Sequence, residues 1–468
     1  MAKRFKNRGI RITGVVVLVL FGALLFSLSV FGKAIVRDKA IYIGDINHKT
    51  YTKQELAEDL KQLEKNIMQK NPLYFADRAK LQALFSKTYE QLEDGLTEEE
   101  FYRLLSPIVA AVNCGHTNLS ISEALLANRE QTAKFFPLKV TLLGDELYVL
   151  EDEPAKDIKA GDRIRSINGK SGEEIIALLM QNISGDGSYE TKRRYIIGNH
   201  FNSRYYDFVD NSENFQVVLV NKDGQLKTAD LEAKYRQEFN TTAWDLHFTN
   251  FQSGDYYQGK IYDDYAVLTI RIFRNEKDNK FEPFLREFFT ELRTRNIGKL
   301  VIDLRGNYGG DSFMAKNLLA YLTSEELPYF AGDYPLIYHL LGFLKPVVPQ
   351  EPNFNGKVAV LTDGAVFSTA AHLCALIRYH SLGTLVGGET GGTYVCTDGA
   401  RDMVLKNTRL RLHNSTQVFK VQVEGLSPNS GVKPDISVTS TIEEVLAHKD
   451  PVMEAGLQAL SQQNNLGF

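Results

Sequence analysis

The sequence contains few cysteines and few clustered basic residues. The first shortage argues against zinc-binding and disulfide-rich proteins, and the second argues against nucleic-acid-binding proteins. Its 468 residues include three cysteines, Cys114, Cys374 and Cys396, which lie far apart and form no CxxC pair. This argues against a structural zinc site and a disulfide framework, although one disulfide stays open. The net charge is −4 and no basic cluster follows the first eleven residues, so we expect no nucleic-acid partner. With 43% apolar and 24% charged residues the chain is typical of globular proteins, with two to four domains expected from its length.

The N-terminus carries the one long apolar run. Residues 12–32 contain no charge, and as a helix they would rise about 31 Å, which matches a hydrocarbon core of about 30 Å. Basic residues within positions 1–11 place that tail in the cytoplasm and the body outside it. We predict a single-pass signal-anchor at 12–32 and a tether at 33–49. A cleaved signal peptide is the alternative, and either interpretation predicts an exported body.

Three regions follow the tether. Residues 50–130 show helical periodicity, including a capping-box pattern formed by Thr97 and Glu100. Residues 135–240 consist of short strand and turn patterns. Residues 255–468 alternate strands with helices, which predicts an α/β core. The expected fold class is therefore multidomain α/β, with a transmembrane helix, a small helical domain, a β-rich domain and an α/β core.

The β-rich region resembles a PDZ domain over residues 157–179. There a Gly-Asp turn leads into Ile164 and Ile167, followed by an Asn-Gly turn and a helix. Residues 185–213 are polar and are interpreted as an insertion. The Gly-Leu-Gly-Phe loop that binds carboxylates in PDZ domains is not visible, so a β-rich spacer that binds nothing is the alternative.

Three stretches of the final region together resemble one protein family. They are VIDLRGNYGGD at 301–311, VAVLTDGAVFSTAAH at 358–372 and LVGGETGG at 385–392. Their order and spacing are similar to those of the C-terminal-processing, or tail-specific, serine proteases. The resemblance implies a core of the ClpP/crotonase-like type, flanked by helical and PDZ-like domains.

Ser368 follows a buried strand pattern and begins a helix pattern. A serine there is commonly an N-cap, but a helix start also offers free N–H groups to a developing oxyanion. The pattern alone favours a cap, and it is the resemblance of the surrounding motifs to the family that leads us to interpret Ser368 as a nucleophile. Gly309, Gly310 and Thr369 are the candidate oxyanion-hole donors, because paired glycines let the backbone approach a substrate carbonyl.

The expected base departs from the common pattern of the family. Many members use a lysine about 25 residues beyond the serine, but residues 387–395 contain none. The tricorn-like and retinoid-binding-protein-like branches supply a histidine from the end of the helical domain, which His116 in a Gly-His-Thr motif matches. His372 is a competitor on the helix of Ser368, and a buried structural histidine is the alternative for His116.

An imidazole base needs a partner for its second nitrogen. Glu424 precedes the GVKPD stretch at 431–435, the place where tricorn-like enzymes carry a glutamate. The resemblance therefore implies a Ser368-His116-Glu424 triad, while a surface carboxylate is the alternative for Glu424. The fourth member of the tricorn arrangement, a serine before the histidine, is replaced by Gly115.

These observations predict a membrane-anchored, extracytoplasmic serine endopeptidase in the cell membrane, with its body in a bacterial periplasm or on the cell surface. It would cleave peptides or unfolded proteins through an acyl-enzyme, without metal or organic cofactor. The alternatives are a catalytically inactive binding protein on the same scaffold, or an acyl-ester hydrolase. The sequence does not indicate an oligomeric state.

Overall fold

The computed structural model describes residues 49–239 and 256–462, which fall within one compact unit beginning at Asn47. The predicted cytoplasmic tail and signal-anchor, and the tether up to residue 48, lie outside the described residues. Within the two described ranges, no helix combines the length and the hydropathy needed to cross a membrane.

The helical region forms as its periodicity predicts. Its helices are α1 Lys53–Lys70, α2 Arg78–Gln91, α3 Glu98–Ala110 and α4 Glu123–Thr132. Two short strands, β1 Thr50–Tyr51 and β2 Leu96–Thr97, pair before α1 and α3. The predicted capping box of α3 is present, because the Thr97 side chain accepts from Glu100 N and the Glu100 carboxylate accepts from Thr97 N. Helix α1 buries one stripe, which consists of Leu56, Leu60, Leu63 and Ile67.

The β-rich region contains an antiparallel sheet with the strand order β10-β9-β7-β6-β5. Its strands are β5 Val140–Leu143, β6 Glu146–Val149, β7 Arg163–Ile167, β9 Asn214–Val220 and β10 Leu226–Glu232. Strand β8 Lys170–Ser171 pairs with β7, and β4 Lys134–Phe135 pairs with β11 Lys234–Tyr235. Helices α5 Gly172–Asn182 and α6 Thr191–Phe208 cover one face. The resemblance of this region to a PDZ domain stays a prediction.

Helix α6 differs from the polar insertion expected between residues 185 and 213. It buries Ile196, Ile197, Phe201 and Tyr205 together with the sheet. Its charged residues Lys192 and Arg193 are buried as well, at the end of the helix nearest Ser368. The segment is therefore part of the fold, and it brings charge into the interior.

The α/β core is a six-stranded sheet of order β12-β13-β14-β15-β16-β21, parallel except for β12. Its strands are β12 Tyr257–Ile261, β13 Ala266–Ile270, β14 Lys299–Asp303, β15 Lys357–Thr362, β16 Thr384–Gly387 and β21 Ile436–Ser437. Its helices are α7 Phe281–Thr294, α8 Ser312–Leu322, α9 Leu336–Leu340, α10 Thr369–Tyr379, α11 Ile442–Leu446 and α12 Pro451–Gln462.

The sheet is buried on both faces, as the continuous apolar strands predict. Leu300 and Ile302 of β14 join the cluster that includes α7, α8 and α10. Val301, between them, joins the cluster on the opposite face with α12. The carboxyl ends of the parallel strands therefore meet at one edge, where the loops can assemble a site.

Of two small sheets beside this core, one pairs two segments of the core region and the other attaches the helical region to it. Strand β17 Val395–Asp398 pairs with β20 Gln417–Lys420. Strand β18 Arg401–Val404 pairs with β19 Arg411–Asn414, which in turn pairs with β3 Asn118–Ser120 of the helical region. The three cysteines are buried and free, so the open alternative of a disulfide is wrong.

Candidate active site

Ser368 lies between the carboxyl end of β15 and the first residue of α10. Its φ of 53° and ψ of −128° fall outside the regions that residues with a Cβ ordinarily occupy. Its side chain makes no capping hydrogen bond to the helix that it precedes. Ser368 therefore does not act as an ordinary N-cap, and its strained backbone presents the hydroxyl to another group.

The loop before Ser368 is held by a hydrogen-bond network. The Asp363 carboxylate accepts from Gly306 N and Ala365 N, and burial raises the pKa of Asp363 to about 6. Phe367 N donates to Asn307 O at 3.1 Å, and the Asn307 side chain donates to the carbonyl of Ile270 at 2.9 Å. The glycine-rich turn and the serine loop are therefore fixed to each other and to the sheet.

The side chain of His116 contacts the hydroxyl group of Ser368. Its Nε2 atom lies 3.0 Å from Ser368 Oγ. The ring also packs on Phe367, with centroids 4.6 Å apart. Residues 114–117 form a turn closed by Thr117 N donating to Cys114 O, and β3 follows that turn. Because β3 pairs with β19 in a small sheet beside the core, this pairing positions a histidine that the helical region supplies.

The surroundings of His116 favour its neutral form. Burial lowers the pKa of His116 to about 4; nearby Asp398 raises it, whereas Lys192 and His413 lower it. A neutral imidazole at pH 7 can accept the proton of a serine hydroxyl. The competitor His372 is buried on α10, and its backbone N–H donates to Ser368 O. The structure therefore brings His116, and not the side chain of His372, to the hydroxyl.

Glu424 does not reach this imidazole. It is exposed, and within the described ranges His116 Nδ1 is buried without a hydrogen-bond partner. The carboxylate that comes within 3.8 Å of the ring is that of Asp398, and it faces Nε2, the nitrogen already beside Ser368. The orienting role predicted for Glu424 is thus unsupported, because segment 421–424 places that side chain in solvent.

The glycine turn contacts the nucleophile closely. A Cβ on Gly309 would lie 2.8 Å from Ser368 Cβ, and a Cβ on Gly310 would lie 2.2 Å from Phe273 O. The two glycines also adopt φ values of 103° and 129°, which disfavour any side chain. This explains why paired glycines occur here.

The predicted oxyanion donors are only partly available. Gly309 N already donates to Asn307 Oδ1 at 2.7 Å, a bond that competes with its predicted role as an oxyanion donor, which stays a prediction. Across the described residues, no hydrogen bond uses the N–H of Gly310 or Thr369. Thr369 Oγ1 donates to Gly310 O at 2.7 Å and holds these two segments together. Gly310 and Thr369 therefore remain the candidate donors.

Residues that sequence reasoning did not select surround His116. Asp186 Oδ1 accepts from Gly115 N at 2.7 Å, and Lys192 Nζ donates to Gly115 O at 2.9 Å. Burial raises the pKa of Asp186 to about 6 and lowers that of Lys192 to about 8. Lys192 Nζ also lies 3.6 Å from the centroid of the Phe367 ring. No motif marks either residue, since both come from the segment that was interpreted as an insertion.

One group of described side chains has the composition of a metal site. Donor atoms of Cys114, His116 and Asp186 lie within 4.8 Å of one another. The Cys114 thiol is in contact with Thr397 Oγ1 at 2.6 Å and Ser415 Oγ at 3.3 Å, and burial raises its pKa. The ammonium group of Lys192 lies beside this cluster, which disfavours a second cation there.

Residues 264–438 match the family model described as peptidase family S41. The α/β core belongs to this family, and the chain is a serine-type peptidase. The matched segment contains the glycine turn and Ser368, whereas His116 lies before it. The predicted recognition of a C-terminal-processing protease is therefore confirmed.

Two solved structures have a fold similar to that of this chain. Mature CPAF complexed with lactacystin has a TM-score of 0.65 and 13% identity, over 87% of this chain and 99% of that chain. Mature CPAF alone has a TM-score of 0.64 and 14% identity, over 89% and 99%. At these identities the likeness shows the fold. No curated protein is significantly similar in sequence.

Proposed function

We propose that this S41 peptidase is an endopeptidase in which Ser368 is the nucleophile and His116 is the general base. The observation that carries the proposal is the 3.0 Å separation between His116 Nε2 and Ser368 Oγ. A serine hydroxyl is a weak nucleophile until an adjacent base accepts its proton, and this distance is within hydrogen-bond reach. The strained backbone of Ser368 and its missing cap bond support the same role.

The reaction proceeds in two halves. Ser368 Oγ attacks the scissile carbonyl while His116 Nε2 accepts the hydroxyl proton, and the oxyanion is bound by the N–H groups of Gly310 and Thr369. The tetrahedral intermediate collapses to an acyl-enzyme, and His116 returns the proton to the leaving amine. Water, deprotonated by the same imidazole, then hydrolyses the ester and regenerates Ser368.

A cavity of about 770 Å³ beside His116 provides room for substrate. It is wide enough for several side chains of an extended peptide, and all three regions contribute to its wall. Among the lining residues are Tyr102, Val109, Ile183, Phe201, Tyr308 and Phe367. Because apolar surface makes up the larger part of the wall, although Lys192 also lines it, we propose that loosely folded polypeptides with exposed apolar side chains are the substrates.

We further propose that residues 12–32 anchor the peptidase in a bacterial cell membrane, with the body extracytoplasmic. The support is the length of this uncharged segment and the basic residues in front of it. Fractionation tests this proposal. The full-length chain should remain with membranes after alkaline carbonate and be released by detergent, and a protease added outside the cell membrane should degrade the body.

The activity is tested with the full-length chain in detergent and an unfolded, fluorescently labelled protein substrate. Ser368→Ala should lower kcat roughly 10³–10⁶-fold, and His116→Ala roughly 10²–10⁴-fold. Ser86→Ala, at an exposed serine of α2, is the matched control and should retain wild-type cleavage.

Two additional measurements separate the alternatives. Labelling of wild type but not Ser368→Ala by a fluorophosphonate would show an activated serine even if the chosen substrate is poor. Lactacystin, which forms a complex with mature CPAF, should slow that labelling if the sites share their chemistry. Equal inertness of wild type and Ser368→Ala in every assay would contradict the proposal and favour a binding protein.

A further inference from the structure

Among the described residues, His116 and Asp186, beside the active site, each contain a buried polar atom without a hydrogen-bond partner. One is His116 Nδ1, the nitrogen that does not face Ser368. The other is Asp186 Oδ2. A buried polar atom without a partner is costly, so two of them on neighbouring side chains call for an explanation.

The two side chains are held close to each other. A ring nitrogen of His116 and a carboxylate oxygen of Asp186 lie within 4.8 Å. Asp186 Oδ1 accepts from the N–H of Gly115, the residue that precedes His116, at 2.7 Å. This bond fixes the carboxylate beside the backbone that carries the imidazole. A bridging water molecule, or a torsional change of either side chain, would complete a hydrogen bond between the two.

We propose that Asp186 is the positioning residue of His116 and takes the place that the resemblance assigned to Glu424. This inference rests on the proposed function. Asp186 Oδ2 accepts a hydrogen bond from Nδ1–H, directly or through one water molecule. The imidazole is thereby held in the tautomer that leaves Nε2 free to accept the proton of Ser368.

The charges around the pair are consistent with a carboxylate that is ionised at pH 7. Lys192 interacts favourably with Asp186, as does Arg193 beyond it, whereas Asp398 opposes its ionisation. Lys192 donates to Gly115 O at 2.9 Å and so lies next to the same backbone. The ammonium group compensates the buried carboxylate without reaching Nδ1, which leaves Oδ2 for His116.

The same carboxylate and imidazole could instead bind a divalent cation together with Cys114. The positive charge of Lys192 and the occupied contacts of the Cys114 thiol with Thr397 and Ser415 argue against this. A hydrogen bond between His116 and Asp186 would satisfy both unpartnered atoms, and the Cys114 thiol would keep its contacts with Thr397 and Ser415. The experiments below therefore include a measurement of the metal bound to the protein.

The first measurement does not depend on turnover. Imidazole ¹⁵N shifts of the full-length chain, assigned through His116→Gln, report the tautomer of His116. Wild type at pH 7.5 should show a single Nδ1–H tautomer. Asp186→Asn should show the opposite tautomer or a mixture, because an amide does not reproduce a carboxylate acceptor. This spectrum tests the inference even if no substrate is cleaved.

The second measurement is kinetic. Asp186→Asn should lower kcat roughly 10²-fold or more with KM within about twofold, and Asp186→Glu should recover part of the loss. Burial raises the pKa of Asp186 to about 6, so wild type should lose part of its activity as pH falls through that value, and Asp186→Asn should lack this step. Asp162→Asn is the matched control, since Asp162 is also buried and accepts a backbone N–H, from Lys159.

Several outcomes would overturn the inference. An unchanged His116 tautomer in Asp186→Asn would do so, as would a loss of activity that matches the Asp162→Asn control and retains the step near pH 6. Stoichiometric Zn²⁺ bound to wild type and absent from Asp186→Asn and Cys114→Ser would make the carboxylate a metal ligand. If the tautomer depends on Asp186 but wild type cleaves nothing, the proposed peptidase activity fails while the positioning role stands.

Discussion

Nε2 of His116 lies 3.0 Å from Oγ of Ser368, although 252 positions separate the two residues in the chain. The contact exists because β3, which follows His116, pairs with β19 of the segment that follows the nucleophile. The site is therefore shared between the helical region and the α/β core. Any change that separates these regions should affect catalysis before it affects the core sheet.

Gly309→Ala should remove activity by displacing the nucleophile. The new methyl group would lie 2.8 Å from Ser368 Cβ and 2.9 Å from Thr369 N, too close for either to keep its place. We expect kcat/KM to fall at least roughly 10²-fold, since small displacements of reacting groups have effects of this size.

Gly95→Ala is the matched control for this substitution. Gly95 has a φ of 95°, close to the 103° of Gly309, but its Cβ position has no atom within 4 Å. Both variants should lose about 1 kcal/mol of stability from backbone strain. Only Gly309→Ala should lose fluorophosphonate labelling, and equal labelling of the two would show that the turn does not constrain Ser368.

The pH dependence of cleavage should reflect the buried imidazole. The base must be neutral, so activity is present above the pKa of His116 and is lost as pH falls through it. Because burial lowers that pKa to about 4, activity should persist at pH 5, where a histidine of ordinary pKa, about 6.5, would be largely protonated. The partial step near pH 6 assigned to Asp186 precedes the complete loss near 4.

This profile is measured as kcat/KM from pH 3.5 to 8, with circular dichroism at each pH to separate inactivation from unfolding. The depressed pKa also affects stability. His116 resists protonation only in the folded state, so its contribution to stability is complete above about 6.5 and declines as pH falls toward 4. Complete loss of activity near 6.5 with an intact fold, in wild type and in Asp186→Asn alike, would contradict the assignment of a desolvated base.

The nucleophile was predicted from the family motifs around it, because the local pattern alone favours a helix cap. A buried strand, a short turn and a helix start place Ser368 at the edge of a parallel sheet, and these elements lie within one short stretch. The prediction of His116 as the base required further information, namely the family resemblance and the missing lysine at 387–395. The strand pairing that brings it to the serine involves residues about 300 positions apart, which no local pattern encodes.

The partner of His116 could not be predicted in this way. Glu424 has the expected position in sequence, but the end of segment 421–424 leaves its side chain in solvent. Asp186 occupies a segment without periodicity or motif, and its relevance appears only when α6 brings Lys192 beside it. Gly309 was predicted as an oxyanion donor, but its N–H donates to the side chain of Asn307, a bond that the glycine pattern does not reveal.

The variant Glu424→Gln distinguishes the triad implied by the family resemblance from the arrangement seen in the structure. The triad predicted from the resemblance requires a loss of roughly 10²-fold or more in kcat. The structure predicts a change within about twofold, because the carboxylate is exposed and His116 Nδ1 has no contact with it in the described residues. Comparison with Asp186→Asn in one assay decides between them, and a large loss in Glu424→Gln alone would restore the original triad.

The helical region is attached to the core by Asp59, and this attachment should determine how firmly His116 is presented. The buried Asp59 carboxylate of α1 accepts from Asn407 N, Thr408 N and Thr408 Oγ1 at 2.9, 2.8 and 2.7 Å. Asp59→Ala leaves buried donors without an acceptor, so we expect the free energy of unfolding to fall by about 2–4 kcal/mol.

Urea unfolding followed by circular dichroism measures this change, and Asp230→Ala, at an exposed aspartate of β10, is the control that should change stability by less than about 0.5 kcal/mol. In Asp59→Ala the activity should be lost at a lower urea concentration than the α/β core structure, because separation of the regions removes the base while the sheet survives. Simultaneous loss of activity and sheet structure would show that the helical region and the core unfold as one unit, and would contradict a separable attachment through Asp59.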